Sequence, residues 1–436
     1  MSDELELSLD NDGVVAVDEK PKVKIVKEEP PQAPQEEDQQ TITFSSSEKE
    51  QILSLQSDFS DFLNETVGGG EEDVNSIGMI ETVSTGIDIL DAILGGGIGI
   101  GTLTLIIGNP GTFKSTLLGN ILSNAQKQFR GKMLGAYLDS ENATTTERLY
   151  DLGVRYPKIK PRTEVTAEGV FKIIEAMCSY KESKKQEIIK KNNDIKKDKT
   201  NKKDEGIQEV LDFPGVIGWD SVANTITEKE LEDPSLRPEQ VTGLRARILS
   251  SFLPRYISKM RDYRISLIAI NQLRDKIDIG MSKKANDLRW MGDKTMPGGN
   301  SLKFNAFHLI ALKAVADLDP TKYGFNGLKI KASCIKNKLF TPNIPVDLII
   351  NFNTGISNFF TNYEFLVGCN RLQPKGWASL RTFPEVKWQG AYKAIALYNE
   401  DENGFRKAWD EAVQEAIQTE IIDNYKSQNV IDGEGF

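Results

Sequence analysis

The chain is 436 residues long, 39% hydrophobic and 27% charged, enough for a full apolar core that needs no disulfide or metal staple. No apolar run approaches the roughly 20 residues that span a bilayer, and no basic start with an apolar stretch behind it marks a secretion signal, so a soluble, cytoplasmic protein is expected. A single histidine, His308, excludes multi-histidine metal sites and leaves a Ser-His-Asp triad no spare partner. Cys178, Cys334 and Cys369 lie too far apart for zinc or redox spacing. The net charge of −10 is unevenly spread: residues 1–45 hold twelve Asp/Glu against four Lys, a net of −8. The rest of the chain is near neutral, so local loops decide its partners.

In chain order, residues 1–45 form an acidic tail with a Pro/Gln/Glu stretch at 28–40. Too little apolar surface is present to offset chain entropy, and disorder is expected. Ser47 to Glu50 fits a capping box, and Ile52, Leu55, Phe59, Phe62 and Leu63 follow at helical spacing. A short amphipathic helix at 48–64 is predicted, followed by a Gly/acidic linker that completes 46–78. Its stripe packs on its own domain or, swung on the linker, on a neighbouring subunit.

From residue 79 strands and helices alternate. Apolar runs at 103–107, 133–138, 215–219 and 265–270 read as strands buried on both faces, with helical patterns at 114–128, 146–152 and 243–260 among them. Further strand-like runs fall at 307–313, 328–335 and 345–350. This is the signature of an α/β core with a mostly parallel, doubly wound sheet over 79–353. Lys181 to Glu205 carries ten Lys and six acidic residues, and reads as a solvated insertion or extended helix rather than a DNA contact. Residues 354–436 read as a small α/β C-terminal domain with Trp377, Trp388 and Trp409, ending in a helical stretch at 404–425.

The chemistry centres on Gly108-Asn109-Pro110-Gly111-Thr112-Phe113-Lys114-Ser115, directly after a strand and before a helix. Backbone N–H groups from Gly111 to Thr116 would cradle a β-phosphate, Lys114 would neutralise the β/γ oxygens, and the Ser115 hydroxyl would ligate Mg²⁺. Phe113 stands where a Gly is expected. At a helix start the backbone need not be left-handed, so a ring is accommodated if it finds a pocket. A bare Gly/Pro turn before a helix is the alternative.

Three more strand ends carry polar groups that suit the same site. Glu141 would orient and deprotonate an attacking water, against the bland alternative of a helix-capping or surface acid. Asp220 would be the second Mg²⁺ anchor, acting through water, and Gln272 would hydrogen-bond the γ-phosphate. Open α/β sheets bind ligands at this carboxyl edge. After Gln272, residues 273–297 hold six Lys/Arg, four Asp and Trp290. The loop suits single-stranded nucleic acid through phosphate pairing and base contact, or is a merely flexible lid. A second, slightly acidic loop is expected at Glu228 to Gly243.

The order of these residues resembles the RecA-type strand-exchange recombinases over roughly 79–420. Val83-Ser84-Thr85-Gly86 through Gly95-Gly96-Gly97 is similar to the family's approach to its P-loop strand. Leu138-Asp139-Ser140-Glu141 resembles the strand of the catalytic glutamate, and Asp220-Ser221 the Walker B. Asn271-Gln272-Leu273-Arg274 and Pro297-Gly298-Gly299-Asn300-Ser301-Leu302-Lys303-Phe304 resemble the opening and close of the second DNA-binding loop. Lys336-Asn337-Lys338 matches a lysine pair that in this family reaches the nucleotide of the adjacent subunit.

The Phe-Lys-Ser ending and the Trp-containing C-terminal region look most like the recombinases of T-even-type bacteriophages, which would place the protein in a bacterial host cell. The resemblance implies a RecA-like P-loop ATPase with ATP and Mg²⁺, forming a homo-oligomeric helical filament on single-stranded DNA and pairing it with homologous duplex DNA. Single-strand-binding and loader proteins are further expected partners. By the same resemblance Lys336 and Lys338 join Glu141, Lys114 and Gln272 as catalytic residues. Arg274, Lys276, Lys283, Lys284, Arg289, Trp290, Lys294, Gly298 and Gly299 would bind DNA. Arg148 occupies the position where many members stack an aromatic on the adenine. Two rival readings share the core: a ring ATPase or helicase, and a catalytically weak DNA-binding filament scaffold, the latter raised by Phe113.

Overall fold

Alternate residues of one strand feed two separate cores. Leu103, Leu105 and Ile107 pack with Phe171, Leu249 and Leu253 on one face of a central sheet. Ile106, between them, packs with Leu117, Leu118 and Ile121 on the other. Period-two side chains with apolar groups on both sides require helices on both faces, and that is the architecture observed. In this computed structural model the described residues are 80–141, 143–155, 161–162, 165–197, 213–233, 235, 237–275, 294–373 and 376–424. The acidic tail and the helix predicted at 48–64 lie outside them.

The main sheet is built from β1 (Leu103–Gly108), β2 (Leu134–Asp139), β3 (Pro161–Arg162), β4 (Gly215–Asp220), β5 (Ile265–Gln272), β6 (His308–Asp317), β7 (Gly327–Asn337), β8 (Pro345–Asn351) and β9 (Gly355–Ile356). Their order is β9-β8-β7-β6-β1-β5-β4-β2-β3. From β6 to β3 every neighbouring pair is parallel, and β7, β8 and β9 add an antiparallel edge. The sheet is thus mostly parallel, as the alternation of strands and helices predicts. β2, β4 and β5 run one or two residues past their expected ends, because Asp139, Asp220, Asn271 and Gln272 stay in the backbone ladder despite polar side chains.

The helices are α1 (Asp88–Leu94), α2 (Lys114–Gln128), α3 (Thr146–Asp151), α4 (Ala167–Lys197), α5 (Glu228–Glu232), α6 (Pro238–Asp262), α7 (Asn300–Asn305), α8 (Asn358–Gly368), α9 (Ala391–Glu400) and α10 (Phe405–Ile417). α4 carries the Lys-rich segment as an extended helix through Lys197, steadied on its surface by Lys184–Glu187–Lys191 pairing. The loop expected at 228–243 is largely helical. Thr227 and Glu230 make a capping box for α5, Pro238 opens α6 where an N–H would have no intrahelical partner, and Arg245 clamps Glu230 at 2.5 Å. Local polarity there disguised two helix starts.

A three-stranded antiparallel sheet, β10 (Leu372–Gln373), β11 (Ala378–Leu380) and β12 (Phe383–Trp388), follows α8. Trp388, Phe405 and Trp409 are buried there, in the same apolar cluster as Ile106 and Leu118 of the main sheet and its helix. Residues Met79–Phe436 form one compact unit. α8 also reaches back to α1, whose N-cap residue Ile87 offers no side-chain acceptor. Asn358 supplies it: its Oδ1 accepts the Asp88 N–H at 2.9 Å, and the side-chain amides of Asn358 and Asn362 donate to Asp88 Oδ2 at 2.9 and 2.8 Å.

Candidate active site

The register of the parallel strands brings the four polar strand ends to one edge. Gly108 stands opposite Gln272, and Asp139 opposite Asp220. A cavity of about 350 Å³ opens there, lined among others by Lys114, Ser115, Glu141, Asp220 and Gln272. Gly108, Asn109, Pro110, Gly111, Thr112 and Thr116 belong to the loop and helix start that form its wall. A Cβ on Gly108 would lie 2.5 Å from Thr112 Oγ1 and 2.7 Å from the Leu312 carbonyl, so only glycine fits. Gly111 turns the chain at φ 75° with open space around it.

Phe113 departs from its expectation. Its backbone is left-handed, φ 58° and ψ 32°, at the N-cap of α2, a conformation that costs a non-glycine residue about 1–2 kcal/mol. The loop needs this bend to turn from β1 into α2, whatever side chain sits there. The expected pocket does exist: the Phe113 ring stacks on Phe352, with centroids 5.7 Å apart.

Lys114 is buried and folds back on the loop, donating to the Asn109 carbonyl at 2.8 Å. Burial pulls its pKa below the usual lysine value, opposed by the carboxylates of Asp220 and Glu141. Burial likewise pushes Asp220 up, opposed by hydrogen bonds from Ser115 and Tyr137. A half-buried hydroxyl and a buried carboxylate beside an open cavity make an oxygen donor set, which suits a hard cation. Among the described residues no group of three or more His, Cys, Asp or Glu could form an all-protein cage. Mg²⁺ is a hard cation of this kind and usually keeps water and phosphate oxygens among its ligands. Ser115 and Asp220 are the residues that would hold it.

Glu141 is exposed to the cavity rather than capping α3, whose cap is Thr145. Its Oε1 accepts from Ser221 Oγ at 2.7 Å and from Gln272 Nε2 at 2.9 Å. The neighbouring Asp139 accepts from the backbone N–H of Glu141 and Thr144 and holds the segment in place. Sequence reasoning missed Ser221, Tyr137 and Thr144 as members of this network. Ser221, directly beside Asp220, carried an available signal; Tyr137 and Thr144 carried none in the sequence. Arg148, on α3, is half-buried and donates to the Asn353 carbonyl at 3.4 Å, next to the Phe113–Phe352 stack.

Lys336 and Lys338 are not in this cavity. β7 runs antiparallel to β6, and Lys336 stands in the row of Leu309 and Leu105, three residues short of Gly108, or about 10 Å along the strands. Lys336 instead donates to the carbonyls of Lys303 and Phe304 at the end of α7, at 3.1 and 2.6 Å. Burial, with Lys338 and Lys303 nearby, lowers its pKa. Lys338 is exposed, 5.9 Å from the Phe307 ring. His308 starts β6, away from the cavity, and burial holds its pKa down to about 4.

Of the expected DNA contacts, Lys276, Lys283, Lys284, Arg289 and Trp290 lie outside the described residues. The segment is framed by a backbone ladder pairing Arg274 with Thr295 and Asp275 with Lys294. Asn271 donates to the Pro297 carbonyl at 2.8 Å, and Gly298 and Gly299, at φ 87° and 77°, turn the chain tightly against Val222, Leu249 and Ala246 into α7. Gln272 therefore stands where the cavity ends and this segment begins.

Known proteins resemble this chain over much of its length. A family model, the RecA N-terminal domain, matches residues 208–357. Protein RecA of Mycoplasma pneumoniae is 30% identical over 279 residues, 64% of this chain and 69% of that protein. Protein RecA of Clostridium acetobutylicum is 26% identical over 357 residues, 79% of this chain and 87% of that protein. Protein RecA of Thermus aquaticus is 27% identical over 313 residues, covering 71% and 78%.

Proposed function

The chain belongs to the RecA family, and from that premise we propose that it is an ATP-dependent recombinase that assembles on single-stranded DNA and exchanges strands with a homologous duplex. The observation that carries the reading is the shared Glu141 carboxylate, bonded at once to Ser221 beside Asp220 and to Gln272 at the head of the 273–297 segment. One side chain connects the acid that would activate water with the residue that leads into the DNA loop.

In this reading the loop 108–116 binds the triphosphate through backbone N–H groups, and Lys114 leaves Asn109 for the β/γ oxygens. Ser115 and Asp220 would hold Mg²⁺, which when bound would supply charge neutralisation on the phosphates. Glu141 takes a proton from the attacking water. Gln272 exchanges its bond to Glu141 for one to the γ-phosphate, and its movement orders the DNA loop. Arg148 lies against the base. Lys336 and Lys338, remote from their own cavity, serve the cavity of the next subunit. The Phe113-Lys114-Ser115 ending supports a position beside the T-even-type phage recombinases. No described helix is long and apolar enough to cross a membrane.

The test is ATP hydrolysis with and without single-stranded DNA, with electron microscopy of the same samples. DNA-stimulated turnover on helical filaments is the expected result. Closed rings that unwind duplex, or DNA binding without turnover, would replace it with a motor or a scaffold.

A further inference from the structure

Tyr137 is a polar departure in the apolar strand β2, and the fold gives it a specific place. It stands opposite Gly218 on β4. The space over Gly218 is taken by Leu118 of α2, and the Tyr137 hydroxyl reaches past it to residue 220, a diagonal neighbour across the two strands. The ring is buried in the core beside α2, and its hydroxyl donates to Asp220 Oδ2 at 2.8 Å. The same oxygen lies 3.1 Å from Thr144 Oγ1. An ionised carboxylate only accepts, so the Tyr137 proton is committed to Asp220 and Thr144 must be the donor in the second bond. One chain, Thr144 to Tyr137 to Asp220, thus links the segment after Glu141 to the end of β4.

A phenol could use Asp220 merely to satisfy a buried hydroxyl. Two features favour the opposite dependence. Asp220 is the group whose orientation matters to the cavity, since Ser115 shares it. In addition, Tyr137 engages Oδ2 and leaves Oδ1 free of itself, which fixes the carboxylate plane. Outer partners that orient metal-holding carboxylates typically change metal affinity by about 10–100-fold when removed. We infer that Tyr137 is a positioning residue, which holds the Asp220 carboxylate in the orientation required for Mg²⁺ and locks it to the segment that carries Glu141. This rests on the proposed nucleotide site.

The test compares wild type, Tyr137→Phe, Asp220→Asn and the double variant in binding of a fluorescent ATP analogue, titrated with Mg²⁺ and repeated in EDTA. Tyr137→Phe is expected to raise the Mg²⁺ half-saturation about tenfold while leaving affinity in EDTA unchanged. In the Asp220→Asn background it should have no further effect, because it acts through that carboxylate. Thr144→Val, at the surface end of the chain, should move the half-saturation in the same direction by less, and guards against misfolding of the buried variant. A Mg²⁺ half-saturation unchanged in Tyr137→Phe, or an equal loss of affinity in EDTA, overturns the inference while the nucleotide site stands. Wild type that shows no Mg²⁺-dependent binding overturns both.

Discussion

The ring of Phe113 lies parallel to that of Phe352, with 7° between their planes. The stack holds a phenylalanine in a backbone conformation made for glycine. An aromatic pair contributes about 0.5–1.5 kcal/mol, and the left-handed backbone costs about 1–2 kcal/mol. The two nearly cancel. Phe113→Gly should therefore stay within about 1 kcal/mol of wild type, whereas Phe113→Ala loses the ring and keeps the backbone cost. Urea denaturation should rank alanine below glycine; equal midpoints would mean that the left-handed backbone at 113 costs a side chain nothing.

Glu141 and Gln272 share one hydrogen bond but have different tasks, so their variants should fail differently. Glu141→Gln is expected to lower kcat by about a hundredfold or more while nucleotide still binds. Gln272→Ala should retain DNA-free turnover and lose most of the stimulation by single-stranded DNA. Steady-state rates with and without DNA separate the two. A Gln272 variant with normal stimulation would disconnect that residue from the loop.

The distance of Lys336 from its own cavity makes a mixing experiment decisive. Neither Lys114→Ala nor Lys336→Ala alone should turn over ATP at the wild-type rate. Mixed in equal amounts, the two should recover part of it. Some interfaces then join an intact Lys114 on one subunit to an intact Lys336 on the next. No recovery across a range of mixing ratios would count against action between subunits.

His308 is the only histidine, so an untagged, ¹³C-histidine-labelled sample offers one imidazole to follow. Its pKa is pushed down to about 4 from 6.5 by burial. The signal should stay neutral from pH 8 to below pH 5. Because the folded value lies below the unfolded one, the stability His308 contributes is present above pH 6.5 and is lost as pH falls toward 4. Asp91, raised to about 6 by burial, works the other way. Its contribution is full below pH 3.8 and lost as pH rises through 6. Spectroscopy isolates the histidine, and a midpoint near 6.5 would contradict its burial.

Much of this layout was legible before the fold was known, for reasons the fold makes clear. Strands buried on both faces are mostly apolar and carry no charged residue before their ends, so Asp139, Asp220 and Gln272 marked their own strand ends. The phosphate loop was legible because Gly108 and Gly111 each meet a steric demand that other residues fail. Phe113 was misread because a backbone angle is set by the turn from β1 into α2, and the side chain there gives no sign of it. α5 and the start of α6 were misread because their faces are polar and their stabilisation comes from caps and from Arg245. Tyr137 escaped notice because its role depends on Asp220, a strand away, and no spacing along the chain records that pairing.

The lead-in to the phosphate loop has its own schedule. α1 stands fifteen residues before Asn109 at its end and nineteen before Lys114 when counted from Gly95, yet the acceptor for its first N–H is Asn358, 270 positions downstream. A ribosome that has already released β1, the loop and α2 has not yet made the residue that finishes the turn ahead of them. During synthesis α1 must remain open at its amino end until α8 emerges. The amino end of α1 is written early in the chain and capped late, after every strand of the main sheet has been made.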